Sequence, residues 1–168
     1  IPATCIVRKA GFCWGVKMKI IVQKFGGTSV RDHESRQCAK GHIEKALQDG
    51  YKVIAVVSAM GRKGEPYATD TLLSLIDSAD NKVTKREQDL LMSVGETISS
   101  VVFANMLQQN GIKATAYTGA QAGFRTNNDH TNAKIMEMKC DRLMKELENY
   151  DVIVVAGFQG MARNGDIT

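Results

Sequence analysis

The sequence predicts an α/β fold, a three-layer αβα sandwich built around a mainly parallel sheet. Short apolar runs alternate along the chain with longer segments that have helical spacing. The runs are continuously apolar, which is typical of parallel strands that are buried on both faces. Each run is followed by a loop that contains glycine. Such loops meet at the carboxyl edge of a parallel sheet, where α/β proteins bind their ligands.

Four strands are predicted, because four short runs are apolar or rich in β-branched residues and are bounded by turn residues. They cover residues 19–25, 52–57, 113–117 and 152–156. The loops that follow them contain, in order, Gly26 with Gly27, then Gly61, Gly119 and Gly157.

Four helices are predicted from apolar residues at helical spacing. They cover residues 29–49, 70–79, 85–110 and 141–149. Gly50 and Gly111 follow two of these segments directly, which is the position that glycine favours at the end of a helix. Residues 62–69 form a polar loop, and residues 118–123 form a loop of small residues after the third strand.

The bulk composition indicates one soluble globular domain. The chain has 168 residues, of which 43% are apolar and 24% charged. The net charge of +4 is scattered, and no basic run is interleaved with aromatic residues, which argues against nucleic-acid binding. No apolar run approaches the roughly 20 residues that span a bilayer, so we expect no membrane partner.

The cysteines and the first 17 residues predict little chemistry. Cys5, Cys13, Cys38 and Cys140 form no C-x-x-C pair, so no metal site is expected, and reduced thiols in the cytoplasm are the default. Residues 1–17 lack a clean helical or strand period and precede Met18, a plausible natural start. We expect them to be added, non-native sequence, with a genuine N-terminal extension as the alternative. Residues 18–168 form the domain.

The sharpest motif is Lys24-Phe25-Gly26-Gly27-Thr28-Ser29-Val30, at a predicted strand-to-helix turn. Two glycines let a backbone approach phosphate closely, and a helix start supplies free N–H groups and a favourable dipole. A lysine at the strand end can neutralise a transferring phosphoryl group, and Thr28 and Ser29 add hydroxyl donors. The motif therefore predicts a phosphate site.

A plain structural explanation of the same motif stays open. Glycines after a strand are often only a tight turn, and a lysine there is often solvated. The motif is not a Walker A loop, because no G-x-x-x-x-G-K-[ST] occurs, and the absence of G-x-G-x-x-G disfavours a dinucleotide fold.

Several segments, in one order, resemble the aspartate kinases, which are members of the amino-acid kinase family. The segments are Val22-Gln23-Lys24-Phe25-Gly26-Gly27-Thr28-Ser29-Val30, Val56-Val57-Ser58-Ala59-Met60-Gly61, Leu90-Leu91-Met92-Ser93-Val94-Gly95-Glu96-Thr97-Ile98-Ser99, Thr118-Gly119-Ala120-Gln121-Ala122-Gly123 and Val155-Ala156-Gly157-Phe158-Gln159-Gly160. The resemblance covers about residues 18–168. It implies an amino-acid kinase-like fold that is truncated, with only the N-terminal half of the catalytic domain present.

The resemblance also implies roles for individual residues. Lys24 matches the family's catalytic, phosphate-contacting lysine. The rest of the phosphate- and ATP-binding loop would be Phe25, Gly26, Gly27, Thr28 and Ser29. Glu96 matches the glutamate implied to hold the aspartate α-amino group, Thr69 matches a threonine implied to bind aspartate, and Ser58 is placed like a strand-end hydroxyl that faces the substrate.

From the residues alone these assignments have simpler alternatives. Glu96 would be an exposed helix carboxylate, and Thr69 would be a helix N-cap or the neighbour of one. Arg125 is expected to be exposed, and His130 to be a loop residue without an acid or base role. Met136, Met138 and Met144 are expected to be packing residues.

The activity implied by the resemblance is transfer of the γ-phosphoryl group of ATP to L-aspartate, the first step toward lysine and diaminopimelate, threonine and methionine. The implied cofactors are ATP and Mg²⁺, with the ion held mainly through the ATP phosphates. The chain itself is expected not to turn over, and to self-associate through an exposed sheet edge or apolar face. The alternatives are a kinase for glutamate, carbamate or a nucleoside monophosphate, and a non-catalytic fragment that binds aspartate or docks a partner.

Overall fold

A computed structural model describes residues 4–5 and 18–168 of the chain. These residues form eight strands and five α-helices. The strands are β1 (Thr4–Cys5), β2 (Lys19–Phe25), β3 (Tyr51–Val57), β4 (Ala114–Tyr117), β5 (Phe124–Thr126), β6 (Ile135–Met138), β7 (Val152–Ala156) and β8 (Met161–Ala162). The helices are α1 (His33–Gln48), α2 (Thr69–Ser74), α3 (Lys85–Gln109), α4 (Gly119–Ala122) and α5 (Asp141–Glu146), and a 3₁₀ turn spans Gly27–Ser29.

The main sheet has the strand order β1-β2-β3-β7-β4. Strands β2, β3, β7 and β4 are parallel, and only the edge strand β1 runs antiparallel. Phe25 pairs with Val57, and Val57 pairs with Ala156, so three strands end level with one another. The predicted α/β class with a mainly parallel sheet is confirmed, and the loops after these strands leave from one edge.

Helices cover both faces of the sheet. On one face α1 and α3 pack against β2, β3 and β7, with Ile43 and Phe103 fully buried in that core. On the other face Leu143 of α5 and Leu147, which follows the end of α5, pack in one cluster with Ile153. Strand β7 lies between the two layers and is buried along its whole length, as its continuous apolar run predicts.

The 25-residue helix α3 is the longest element, and its ends have clear chemical causes. Thr84 and Glu87 form a capping box at its start, and Gly111, with a φ of 78°, follows its end. By length and composition α3 could cross a membrane, and it is the one such helix among the described residues. The expectation that no segment is long enough was therefore too strong. In this fold α3 packs against β4 and β7 as a core helix.

Several predicted boundaries were wrong. Helix α1 begins at His33 rather than at residue 29, because the 3₁₀ turn comes first and the Asp32 carboxylate caps the helix by accepting from the Ser35 N–H at 2.8 Å. Helices α2 and α5 end at Ser74 and Glu146, before the predicted ends. The predicted loop at residues 118–123 contains the single turn α4.

A second sheet, with the order β6-β5-β8, was not predicted. Its strands are two to four residues long, and every residue of β6 is exposed, so no buried pattern marks them. The expectation that Met136 and Met138 pack in the core was wrong, because their exposed fractions are 69% and 37%.

Of the first 17 residues, only the short strand β1 is described. Thr4 pairs with Gln23 and Cys5 pairs with Val22, at the edge of the main sheet. The prediction that residues 1–17 are an added segment otherwise lies outside the described residues.

Candidate functional site

A cleft of about 650 Å³ opens at the carboxyl edge of the main sheet. The loops after β2, β3 and β7 line it together with α2 and α3. The lining includes all three predicted substrate residues, which are Ser58, Thr69 and Glu96. It also includes Gly27, one of the two phosphate-loop glycines. Residues from distant parts of the sequence therefore converge here, as the shared strand edge predicts.

Glu96 is a buried carboxylate, with only 6% of the residue exposed. Its Oε1 accepts a hydrogen bond from the Ala59 N–H at 3.3 Å. No lysine, arginine or histidine forms an ion pair with it in the described part of the chain. Burial raises the pKa of the Glu96 carboxyl, and the hydrogen bonds from backbone N–H groups only partly oppose that effect. An exposed helix carboxylate is therefore the wrong interpretation of this residue.

Gly95 explains how Glu96 reaches the strand end. A Cβ atom at Gly95 would lie 2.9 Å from the Ala59 Cβ and 3.0 Å from the Tyr67 carbonyl oxygen. The absence of a side chain lets α3 approach the β3–α2 connection closely. A glycine inside a helix costs stability relative to alanine, so its presence in α3 has this packing reason.

The loops after β2 and β3 also approach each other closely at a glycine. A Cβ atom at Gly27 would lie 2.6 Å from the Ala59 carbonyl oxygen and 2.8 Å from that of Gly61. The Gly61 N–H also donates to the Gly27 carbonyl oxygen at 3.1 Å. Gly27 therefore joins the predicted phosphate loop to the loop that carries Ser58.

Thr69 and Ser58 present hydroxyl groups to the cleft. Thr69 is the first residue of α2, and the N-cap position before it is occupied by Ala68. Neither hydroxyl forms a hydrogen bond with another described residue. Thr69 therefore neighbours the cap and is not the cap itself, and both hydroxyls are free for a ligand.

Lys24 lies at the end of β2, exposed, with its Nζ 4.6 Å from the centre of the Phe158 ring. Phe158 lines the cleft, so the ring holds this cation beside it. Among the described residues Lys24 forms no ion pair. Its charge is thus available to an anion that reaches the mouth of the cleft.

The rest of the phosphate loop differs in part from expectation. The ring of Phe25 is buried against Phe103 at a centroid distance of 5.7 Å, so its side chain cannot contact a ligand in the cleft. Thr28 and Ser29 are exposed in the 3₁₀ turn, outside the cleft lining. The Ser29 N–H donates to the Gly26 carbonyl oxygen at 2.8 Å.

No α-helix starts at this loop, so the expected dipole is missing. The N-terminus of α1 is three residues further on, and Asp32 already caps it. The hydrogen bond from the Ser35 backbone lowers the pKa of Asp32 to about 2, so this carboxylate stays ionised. Within the described residues the N–H groups of Gly27 and Thr28 have no acceptor, and these two donors remain for phosphate.

The residues of the cleft that sequence reasoning missed include Phe158, Gln159, Arg62, Lys63 and Asp89. Phe158 has a φ of 55°, unusual for a bulky residue, and a large ring between Gly157 and Gly160 was a usable signal. Asp89 precedes Glu96 by two helical turns, and this spacing on one helix face could have revealed it.

The cleft has a distinct chemical character. A buried carboxylate without a cationic partner suits an ammonium group. Arg62 and Lys63 line the same space and supply positive charge for carboxylates. Free hydroxyls and the cation of Lys24 lie nearby. The arrangement fits a small zwitterion with an acidic side chain, next to a phosphate-bearing ligand.

The fold and the cleft thus define an α/β protein with a polar, charged cleft at the ends of its strands. The model of the amino acid kinase family matches residues 19–168, nearly the whole chain. The chain belongs to the amino acid kinase family.

Within this family, the chain is similar in sequence to aspartokinases. The chain is 64% identical over 151 residues to aspartokinase 1 of Bacillus subtilis, covering 90% of this chain and 37% of that protein. It is 42% identical to the aspartokinase of Geobacillus stearothermophilus, covering 90% of this chain and 36% of that protein. The chain therefore spans little more than a third of the length of these curated relatives.

Solved structures show the same fold. An aspartate kinase from Synechocystis superposes with a TM-score of 0.67 and 37% identity, over 84% of this chain and 22% of that one. Aspartokinase III of E. coli, solved in complex with aspartate and ADP, superposes with a TM-score of 0.66 over 89% of this chain and 42% of that one. At 20% identity the second similarity shows the fold alone.

Proposed function

We propose that this chain forms the acceptor-binding part of an aspartate kinase, which transfers the γ-phosphoryl group of ATP to the side-chain carboxylate of L-aspartate. The observation that carries the proposal is Glu96, a buried carboxylate that faces a polar cleft without a cationic partner among the described residues. The 64% identity to an aspartokinase supports the same assignment.

Glu96 binds the α-ammonium group of aspartate. An ammonium ion is the partner that this carboxylate lacks, and a charge-assisted hydrogen bond in a water-poor site is strong. The Thr69 and Ser58 hydroxyls add donors for the carboxylates of the substrate. Together these groups orient the amino acid, and orientation is one of the two main contributions of a phosphoryl-transfer enzyme, beside electrostatic stabilisation.

The transfer is an in-line displacement. An oxygen of the aspartate side-chain carboxylate forms a bond to the γ-phosphorus, while the bond from that phosphorus to the β–γ bridging oxygen breaks. The products are 4-phospho-L-aspartate and ADP. No protein group has to give or take a proton, because the attacking carboxylate is already ionised and ADP leaves as an anion.

Lys24 and the Gly26–Gly27 loop stabilise the charge on the moving phosphoryl group. Within the described residues Lys24 forms no ion pair, and the N–H groups of Gly27 and Thr28 have no acceptor. A Cβ atom at Gly26 would meet nothing within 4 Å, so the backbone is open to a ligand there. Preorganised donors of this kind usually contribute more to the rate of such a reaction than any other single effect.

ATP is the phosphoryl donor in this proposal, and Mg²⁺ accompanies it. The residues present fit the phosphate end of ATP through Lys24 and the loop donors. Magnesium ions commonly keep several waters and bind through substrate phosphates, and the bound ion would neutralise charge on the β- and γ-phosphates.

The segment alone is expected to bind aspartate without turnover, since it spans 37% of the length of its B. subtilis relative. In a full-length protein the reaction would be the first step toward lysine and diaminopimelate, threonine and methionine, in the cytoplasm. Association between copies of the chain through its exposed sheet edge belongs to the same proposal.

The test is ATP- and aspartate-dependent hydroxamate formation by a full-length protein that contains this segment. Lys24→Ala is expected to lower the rate by about 10²–10³-fold. Lys19→Ala is the matched control, because Lys19 is an exposed lysine at the other end of β2 with its Nζ 5.8 Å from the Tyr51 ring centre. Hydroxamate formation that depends on glutamate and not on aspartate would overturn the proposal.

A further inference from the structure

Helix α3 carries a second buried carboxylate, Asp89, on the same side as Glu96. Seven residues separate them, about two helical turns or roughly 10 Å along the axis. Both line the cleft, and their exposed fractions are 5% and 6%. Burying a carboxylate is costly unless hydrogen bonds or an opposite charge compensate for the lost water. The two carboxylates of this cleft differ in what compensates them.

Asp89 is compensated by the protein. Both of its side-chain oxygens accept from the Thr131 N–H at 3.0 Å, and His130 Nδ1 lies 3.1 Å from Oδ2. Since a carboxylate oxygen accepts, Nδ1 of His130 carries the hydrogen. Thr131 has a φ of 67°, which is unfavourable for a β-branched residue, so these bonds hold a strained turn.

His130 connects Asp89 to the last residues of the chain. Its Nε2 lies 3.6 Å from Oδ2 of Asp166, a contact that is attractive when the ring carries a hydrogen on both nitrogens, and Arg86 Nη1 lies 3.5 Å from Oδ1 of Asp166. The histidine is mostly buried between the two carboxylates, with 15% of its side chain exposed. We call these residues the Asp89–His130–Asp166 network. It joins α3, the loop at residues 127–134 and the segment at residues 161–168.

The segment at residues 161–168 forms part of the cleft wall. The Ala162 N–H donates to the Asp166 carbonyl oxygen at 2.9 Å, and Gly160 and Thr168 exchange backbone hydrogen bonds of 2.9 and 3.2 Å. The Thr168 hydroxyl lies 2.7 Å from that of Thr126. Thr168 lines the same cleft as Glu96, so a shift of the segment that contains Asp166 and Thr168 would move the wall.

We propose that Asp89 and His130 are positioning residues, which hold the segment at residues 161–168 against the cleft so that the acceptor amino acid is bound in one geometry. The inference rests on the proposed function, since it concerns the binding of aspartate. Asp89 does not itself bind the amino acid, because its oxygens already accept from Thr131 and His130. Glu96 accepts only from backbone N–H groups among the described residues, at Oε1 from Ala59, and stays available.

The test uses two variants and one control. Asp89→Asn removes the negative charge and one of the two oxygens that accept from Thr131 and His130. His130→Asn keeps a donor near Asp89 but loses the reach to Asp166. Asp129→Asn is the control, because Asp129 is an exposed neighbour that accepts from the Asn132 side chain at 3.2 Å.

Two measurements on this chain are compared: amide hydrogen exchange by NMR and aspartate affinity by calorimetry. In Asp89→Asn, exchange at Thr131 and Thr168 is expected to accelerate about tenfold, with aspartate affinity lower by a similar factor. In His130→Asn only Thr168 should exchange faster. Exchange at Val154, in the central strand, reports global unfolding and should stay unchanged, as should every value in the control.

Each other outcome has a defined meaning. Unchanged exchange at Thr168 in both variants would overturn the proposal, and so would faster exchange with unaltered aspartate affinity. Weaker binding without a local change in exchange would make Asp89 a direct ligand, which also contradicts it. If the unmodified chain fails to bind aspartate, the proposed function fails, while the exchange data still decide whether the network holds the wall. His130→Asn, at a position that is less buried than Asp89, provides the test if Asp89→Asn does not fold.

Discussion

The Glu96 carboxylate accepts a hydrogen bond from the Ala59 N–H at 3.3 Å, across the contact between α3 and the end of β3. This contact places a carboxyl group at the meeting point of the longest helix and the central strands. Burial raises the pKa of that carboxyl, so its ionised form is less favourable here than in water. Such an arrangement is typical of a functional site, and several consequences can be measured.

Replacing Glu96 by glutamine should abolish the attraction for an ammonium group while preserving the shape of the side chain. We expect aspartate affinity to fall by about 30-fold or more, since a hydrogen bond between charged groups is lost. Isothermal titration calorimetry measures the change. Glu137→Gln is the matched control, because the Glu137 side chain is 59% exposed on β6. An equal loss in both variants would contradict a specific role for Glu96.

The raised pKa of Glu96 predicts how stability depends on pH. The folded chain keeps this proton to a higher pH than the unfolded chain, in which a glutamate has a pKa of about 4.3. Ionisation of Glu96 therefore lowers the free energy of unfolding as the pH rises above that value and up to the folded pKa. The Glu96→Gln variant has no carboxyl group to ionise at this position. Its free energy of unfolding, relative to that of the parent chain, should therefore increase with pH. Urea denaturation from about pH 4 to pH 8 measures the difference, and a constant difference would contradict the pKa shift.

Aspartate binding should show the opposite sensitivity to pH. The ammonium group binds the ionised carboxylate, so protonation of Glu96 competes with the ligand. Affinity should fall as the pH is lowered through the folded pKa, and binding in that range should release protons. Calorimetry in two buffers of different ionisation enthalpy detects the protons. No proton release across this range would argue that another group holds the ammonium.

Gly95 and Gly41 form a pair that separates close packing from helix propensity. Alanine at Gly41, in α1, meets nothing within 4 Å and should stabilise the fold by about 0.5–1 kcal/mol. Alanine at Gly95 would push against Ala59 and the Leu72 Cδ1, 3.1 Å away, and should destabilise it by about 1–3 kcal/mol. Denaturant unfolding compares the two. Stabilisation in both variants would show that α3 can move away from the β3–α2 connection without cost.

Phe158 combines strain with a position in the cleft. Its φ of 55° suits glycine, and its exposed fraction is 76%, so Phe158→Gly should lose little packing and gain up to about 1 kcal/mol of stability. The same change removes the ring next to Lys24 and should lower phosphoryl transfer in a full-length protein. Thermal unfolding and the hydroxamate assay measure the two effects. A variant that is both more stable and fully active would leave the ring without a role.

The main sheet was predictable because burial on two faces leaves a direct pattern in the sequence. The continuous apolar run at residues 152–156 corresponds to β7, and the predicted strand at residues 19–25 coincides with β2. The strands β5, β6 and β8 left no such pattern, since they are short and β6 is exposed throughout. The 3₁₀ turn before α1 was missed because the Asp32 cap lies beyond the glycines and not next to them.

The site was only partly predictable from the sequence. Glu96 was assigned through the family resemblance, because a glutamate within a helix is normally exposed and only the close approach at Gly95 buries it. Phe25 was predicted to belong to the phosphate-binding loop because it lies within the motif, but its ring packs in the core. His130 was interpreted as an ordinary loop residue, since its contacts with Asp89 and Asp166 join segments about 40 residues apart.

The most direct test of the central claim is calorimetric titration of this chain with L-aspartate, compared with succinate, which lacks the α-ammonium group. A cleft that recognises the ammonium through Glu96 should bind aspartate and not succinate, and Glu96→Gln should remove this preference. Equal binding of the two ligands, or a preference that survives in Glu96→Gln, would contradict the assignment of this cleft as the aspartate site.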